Sequence, residues 1–253
     1  MKELISGYLW GYKNIEAGDK SFEKFRKIYP NSDLFCRVDI DGDIDGYTKI
    51  SEKYNAKLSI NSIKVGYCGN FSASNHDIGR DGWPKENAFE WLNGIYSACL
   101  KTSAKYMIIL EEDVFVLKPI TILDKEFGAA TVRTNNIIPT SIMQFIKSLG
   151  GNTTDGKYGC CGGCIINVED FIRGWEFCKD ELWDNYDIIF KQTKLIGWSD
   201  CILQVVIQCS GSKIIVNEQL VEPWMVEQGW IDKEWKEFEI VNYLKDIEII
   251  KSL

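Results

Sequence analysis

Apolar positions in this chain recur with two different periods, and the period switches from one segment to the next. Residues 4 to 9 form a short apolar run suited to a strand. From Asp19 to Tyr29, the side chains of Phe22, Phe25, Ile28 and Tyr29 share one helical face, and Pro30-Asn31-Ser32 stops the helix. Asp33 to Ile40 reads as a second strand, followed by a turn rich in Asp and Gly. A short helix around Tyr47 to Tyr54 and a third strand at Lys57 to Ile60 come next. The chain therefore opens β-α-β-α-β.

Residues 61 to 83 show no clear period and are rich in Gly and Asn, the composition of a long functional loop. After Trp83-Pro84, the residues Ala88, Trp91, Leu92, Ile95, Tyr96 and Cys99 follow the spacing of an amphipathic helix. Further on, the pattern predicts a strand near Phe127 to Arg133, a helix at about Thr140 to Leu149, and a loop at 150 to 157. The strand Cys164 to Asn167, a helix from about Glu169 to Trp183, a helix starting at Ser199-Asp200, and a strand at Lys213 to Val216 complete the series. Alternation of this kind implies an α/β protein, with a mostly parallel central sheet flanked by helices on both faces. Nothing in the sequence forces a boundary, so 1–253 reads as a single domain.

One strand stands apart chemically. Tyr106-Met107-Ile108-Ile109-Leu110 is apolar enough to be fully buried, ends in Glu111-Glu112-Asp113, and turns apolar again at Val114-Phe115-Val116. Adjacent ionised carboxylates beside a core repel one another and are costly to desolvate unless positive charge offsets them. A divalent cation that also holds a phosphate-bearing substrate is the usual offset. In open α/β sheets ligands collect at the carboxyl ends of strands, where Asp39, Asp41 and the acids at 111–113 would lie together.

Composition narrows the class. A formal net charge of -8 leaves no broad basic surface for nucleic acid, so any phosphate site must be local. No stretch approaches a membrane span, and the first residues lack a secretory leader pattern. Nine cysteines, several inside apolar runs, suit reduced core thiols and a soluble protein of a reducing, cytoplasmic compartment. Cys161 and Cys164 make a C-x-x-C without a second pair, so close packing of the glycine-rich backbone is a better account than structural zinc.

Other residues carry candidate chemistry. Asp41-Gly42-Asp43-Ile44-Asp45-Gly46, with Glu52 five residues beyond, matches a calcium-binding loop. A strand rather than a helix leads into it, however, so an Asp/Gly turn competes with that reading. Asp39 or Asp41 can instead accept from the base or ribose of a nucleotide. Asp200, in Gly197-Trp198-Ser199-Asp200, suits either a helix cap or a general base. Lys85, at a helix start, can meet a phosphate, and His76 sits in the long loop.

Taken together, the β-α-β-α-β opening, the aromatic helix and the acid-tipped strand continuing into Val-Phe-Val-Leu-Lys-Pro resemble the nucleotide-diphospho-sugar transferase (GT-A) glycosyltransferases. The match is closest from Trp83-Pro84-Lys85-Glu86-Asn87-Ala88 through Asp113. Gly162-Gly163-Cys164-Ile165-Ile166-Asn167 is similar to the family's acceptor-side loop and strand. Trp198-Ser199-Asp200 looks like the acidic motif that supplies the base in inverting members.

The resemblance implies a nucleotide-binding half at 1–113 and an acceptor-side half at 114–253 with a C-terminal helix. It implies an inverting, metal-dependent transferase that moves a sugar from a nucleotide diphosphate, UDP being the expected carrier, to a hydroxyl acceptor such as a glycan. Asp113 would ligate Mn²⁺ or Mg²⁺. Glu111 would contact the ribose or the metal, with Glu112 beside it at the diphosphate, and Asp39 would lie near the base. Asp200 would take the acceptor's proton. Two features depart from the family: Glu stands first in the acidic motif, and no late histidine is present, a place Glu218 could take. Rival readings are a non-catalytic calcium module on Asp41 to Glu52 and a nucleotidyltransferase, although the latter's glycine-rich basic loop is absent between Leu9 and Gly18.

Overall fold

In the computed structural model of the chain, the described residues are 3–65, 84–132, 138–153, 159–160, 162–190, 198–242, 244 and 246–253. His76 and Trp83 fall outside them. The main sheet has seven strands, built around β1 (Ile5–Gly11) and β4 (Tyr106–Glu111). All seven residues of β1 are buried, as a central strand with parallel neighbours and helices on both faces must be. Beyond β1 on one side lie β2 (Leu34–Val38) and β3 (Lys57–Ile60). Beyond β4 on the other lie β7 (Ile165–Asn167), β6 (Ala129–Thr131) and β8 (Ile214–Val216).

Pairings β1–β2, β1–β4, β2–β3 and β6–β8 are parallel, while β7 runs antiparallel to both β4 and β6. The sheet is thus mostly parallel, as the sequence pattern implies. A second, three-stranded sheet is not foreseen by that pattern. It pairs β5 (Phe115–Val116) with β10 (Ile240–Val241), and β10 with β9 (Leu220–Val221). Strands of two residues are too short to show a period.

Helix starts follow their caps. Helix α1 (Ile15–Ile28) begins ahead of Asp19 because the Asn14 side chain accepts from the Ala17 N–H. Helix α2 (Ile44–Tyr54) begins directly after Asp43, whose carboxylate accepts from the Gly46 N–H. That placement corrects the calcium-loop reading: Gly46 lies in the first turn of a helix and Glu52 near its last, so the loop that would wrap a Ca²⁺ ion is not formed. The remaining helices are α3 (Lys85–Cys99), α4 (Thr140–Ser148), α5 (Val168–Phe190), α6 (Trp198–Cys209), α7 (Pro223–Glu227) and α8 (Ile247–Ser252).

The sheet separates two apolar layers. One contains Trp91, Leu92 and Ile95 of α3 with Phe171, Trp175, Leu203 and Val206 of α5 and α6. The other contains Phe22 and Phe25 of α1 with Tyr47 and Ile50 of α2. Glycines allow the tightest approach there: a Cβ on Gly11 would lie 2.4 Å from the Tyr47 ring, and one on Gly18 2.7 Å from its hydroxyl. The seven described cysteines are all buried. Among the described residues no helix is long and apolar enough to cross a membrane.

Candidate functional site

Three neighbouring strands, β2, β1 and β4, end at the same edge of the sheet, and side chains from each tie the following loops together. Glu112, just past β4, turns back toward the β1 loop. A single carboxylate oxygen accepts from the Tyr12 N–H at 2.6 Å, the Asn14 N–H at 3.0 Å and the Tyr47 hydroxyl at 2.5 Å. Burial first, and the facing Glu112 charge second, push the Tyr47 phenol far above its ordinary range, so it stays a donor. Glu112 therefore pins the β1–α1 loop and α2 to the end of β4.

Asp39 and Asp41 follow β2. Asp39 is buried, and its carboxylate accepts from the Ile40 and Val65 N–H groups at 3.0 and 2.9 Å, holding the chain that leaves β3. Asp41 pairs with Lys64 at 2.6 Å and accepts from the Tyr12 hydroxyl at 3.3 Å. The Lys64 hydrogen bond holds the Asp41 carboxyl below the usual aspartate range. Lys85 opens α3, with its ammonium 4.2 Å from the centre of the Trp183 ring on α5, a cation–π contact.

Glu111 and Asp113 flank Glu112 but face a different neighbourhood. Gly163, at φ +81°, gives its N–H to the Ile109 carbonyl at 2.7 Å and brings the 162–164 backbone against β4. A Cβ on Gly162 would lie 2.8 Å from the Asn242 Oδ1, 2.9 Å from Val114 and 3.0 Å from the Glu111 carboxyl carbon. The missing side chain lets the Glu111 carboxyl group and the Asn242 side chain both pack against the Gly162 backbone. Asn242 is oriented from behind: its Nδ2 donates to Glu222 Oε1 at 2.9 Å, and Trp224 Nε1 donates to Glu222 Oε2 at 2.6 Å. Burial raises the Glu222 carboxyl above its ordinary range, and the charge of Asp113 adds to the rise. The Asp113 carbonyl in turn accepts from the Leu244 N–H at 3.2 Å.

Glu111 and the glycine-rich 162–163 turn thus meet, together with Asn242 and the Glu222 behind it, which sequence reasoning misses. Those two lie beside strands of two residues in the small sheet, and only the pairing of β10 with β9 and β5 brings them to Asp113. Glu218 is not a third member. Among the described residues no three Asp, Glu, Cys or His side chains form a metal-holding group, so the trio Glu111, Asp113 and Glu218 does not assemble. Glu218 instead follows β8 and lines a separate cavity. Asp200 lies in the first turn of α6, consistent with a helix-opening position, and its side chain is outside the described residues.

No protein-family model and no curated protein sequence matches the chain. Solved structures do. The galactosyltransferase LgtC, in complex with donor and acceptor sugar analogs, aligns with a TM-score of 0.51 at 9% identity, over 97% of this chain and 94% of that one. The glycosyltransferase GlyE of Streptococcus pneumoniae TIGR4 aligns with a TM-score of 0.54 at 12% identity, over 98% of this chain and 60% of that longer one. At such identities the likeness is one of fold: the chain has the GT-A-like fold of these glycosyltransferases, with an acid-tipped central strand at the end of the sheet where ligands collect.

Proposed function

We propose that the chain is a glycosyltransferase that moves a sugar from a nucleotide diphosphate, with UDP as the expected carrier, to a hydroxyl acceptor such as a glycan. The observation that carries this reading is the meeting of the Glu111 carboxyl group and the Asn242 side chain at Gly162, at the end of the acid-tipped central strand, with the buried Glu222 behind Asn242. Oxygen donors with surplus negative charge suit a hard divalent cation, Mn²⁺ or Mg²⁺. Asp113, Glu111 and Asn242 would hold it, and when bound it would offset the charge of the departing diphosphate.

The chain's own residues account for the remainder. Glu112 fixes the β1 loop against the end of β4, shaping the floor on which a diphosphate lies. Asp39 and Asp41, at the end of β2, flank the place for base and ribose. Lys85, at the same edge through the start of α3, adds a cation. In the transfer step an acceptor oxygen forms a bond to the anomeric carbon as the bond from that carbon to the diphosphate oxygen breaks. Asp200 takes the hydroxyl proton, and attack by the acceptor itself inverts the anomeric centre.

Incubation with a panel of UDP-, GDP- and CMP-sugars, with and without Mn²⁺, tests the reading by release of free nucleotide. Release from a UDP-sugar, lost in Asp113→Asn, is the expected outcome. Thermal stabilisation by Ca²⁺ alone, with no response to any nucleotide sugar, would sink it. NMR of the product's anomeric proton distinguishes inversion from retention.

A further inference from the structure

A cavity of about 380 Å³ opens beside Leu220 of the small sheet, with none of the acids at 111–113 in its lining. Asn217, Glu218 and Gln219, between β8 and β9, line it together with Trp230 and Lys233, after α7, and with Met225 among its apolar residues. Its size falls at the lower end of the roughly 300–1,000 Å³ typical of small-ligand sites.

Trp230 is 58% exposed, unusual for so large an apolar side chain. Its position is nevertheless fixed. Gly229, at φ +70°, turns the chain at the end of α7, and the Trp230 N–H donates to the Met225 carbonyl at 2.9 Å. The Trp230 ring meets Trp224 at 5.0 Å and 72°, and the Trp224 indole N–H is the one that holds Glu222. A rigid, half-open indole beside the cavity is therefore linked through one side chain to the residue behind Asn242.

The lining selects a class of ligand. Glu218 and Asp232 stand against Lys233, so the walls do not favour a diphosphate or another anion. Amide, carboxylate and ammonium groups around an exposed indole suit a neutral molecule with one apolar face and many hydroxyls. Gln219 is also only three residues before Glu222 along the strand that joins the two sites. We infer that this cavity is a neutral-sugar subsite for the acceptor, in which Trp230 stacks on the apolar face of a pyranose ring while Glu218, Gln219 and Lys233 meet its hydroxyls. The assignment to the acceptor rests on the glycosyltransferase reading; the binding of sugar does not.

Titration of the full chain with lactose, maltose and di-N-acetylchitobiose, followed by saturation-transfer NMR and calorimetry, tests it. At least one should bind, Trp230→Ala should weaken that sugar roughly tenfold, and Trp230→Phe, which keeps an aromatic face, should stay within about threefold of wild type. Phe177→Ala, which removes another exposed aromatic on α5, should leave binding unchanged. Binding of none of the three sugars, or equal binding by wild type and Trp230→Ala, would overturn the inference. UDP titration of the same protein separates the two readings: sugar binding without UDP binding supports the cavity and refutes the donor site.

Discussion

Two glutamates near the end of the sheet accept several hydrogen bonds each, yet they do different things. Glu112 gathers two backbone N–H groups and a phenol; its donors belong to the loop after β1 and to α2, elements set by the central parallel sheet. Glu222 gathers two side-chain donors, Trp224 and Asn242. Burial leaves it reluctant to ionise, and Asp113 makes matters worse. A carboxylate held by backbone amides is a structural pin, because its partners cannot turn away. One held by side chains beside a second acid orients a polar group toward a place where positive charge would be welcome. The three consecutive acids of the sequence are thus split: Glu112 pins the fold, and Glu111 and Asp113 are the two proposed for the site.

The sharpest way to break this contrast is Glu112→Ala, which strands two backbone N–H groups and the Tyr47 hydroxyl. Urea denaturation should show a loss of about 4 kcal/mol; a loss below about 1 kcal/mol would mean the pin is not one. Asp113→Asn should behave in the opposite manner, with stability kept or slightly raised because a charge facing Glu222 is removed. Nucleotide-sugar turnover should fall roughly 100-fold, and equal destabilisation in the two variants would erase the distinction. Tyr47→Phe removes one of three donors to Glu112 and should cost about 1.5 kcal/mol in the same urea assay.

The smallest effect belongs to the exposed pair at the end of β2. Asp41 has a folded-state carboxyl held below its ordinary range by the Lys64 hydrogen bond. Its contribution to stability is therefore present above the unfolded aspartate value near pH 4, and is lost as pH falls through the lower folded value. Lys64→Met should bring the Asp41 titration, followed by carboxyl NMR, back up toward that ordinary value. No movement would show that the pair does not persist in solution, as is common for exposed ion pairs.

Much of the frame was legible from periodicity. β3 at Lys57–Ile60 lies where the alternation and flanking turns put it, and α3 lies where Ala88, Trp91, Leu92 and Ile95 required a buried stripe. Boundaries moved where a cap acts over a few residues, as at Asn14 and Asp43. Asp43 also explains why a literal calcium-loop motif misleads: its carboxylate caps α2, and a spacing rule does not register that the backbone beneath it is helical.

Sequence alone determined the order of the main-sheet strands and the helices between them, the mostly parallel sheet and the acid-tipped strand at its centre, because each depends on local apolar period and on short-range composition. Tertiary structure decided which of the three acids is structural, that Glu218 lies in a separate cavity, and that Glu222 and Asn242 stand behind Asp113. Those outcomes depend on pairing between β5, β9 and β10, segments of two residues separated by as much as half the chain. Contacts of that range leave no periodic trace, since the interactions that stabilise them exist only after the main sheet has brought the segments together.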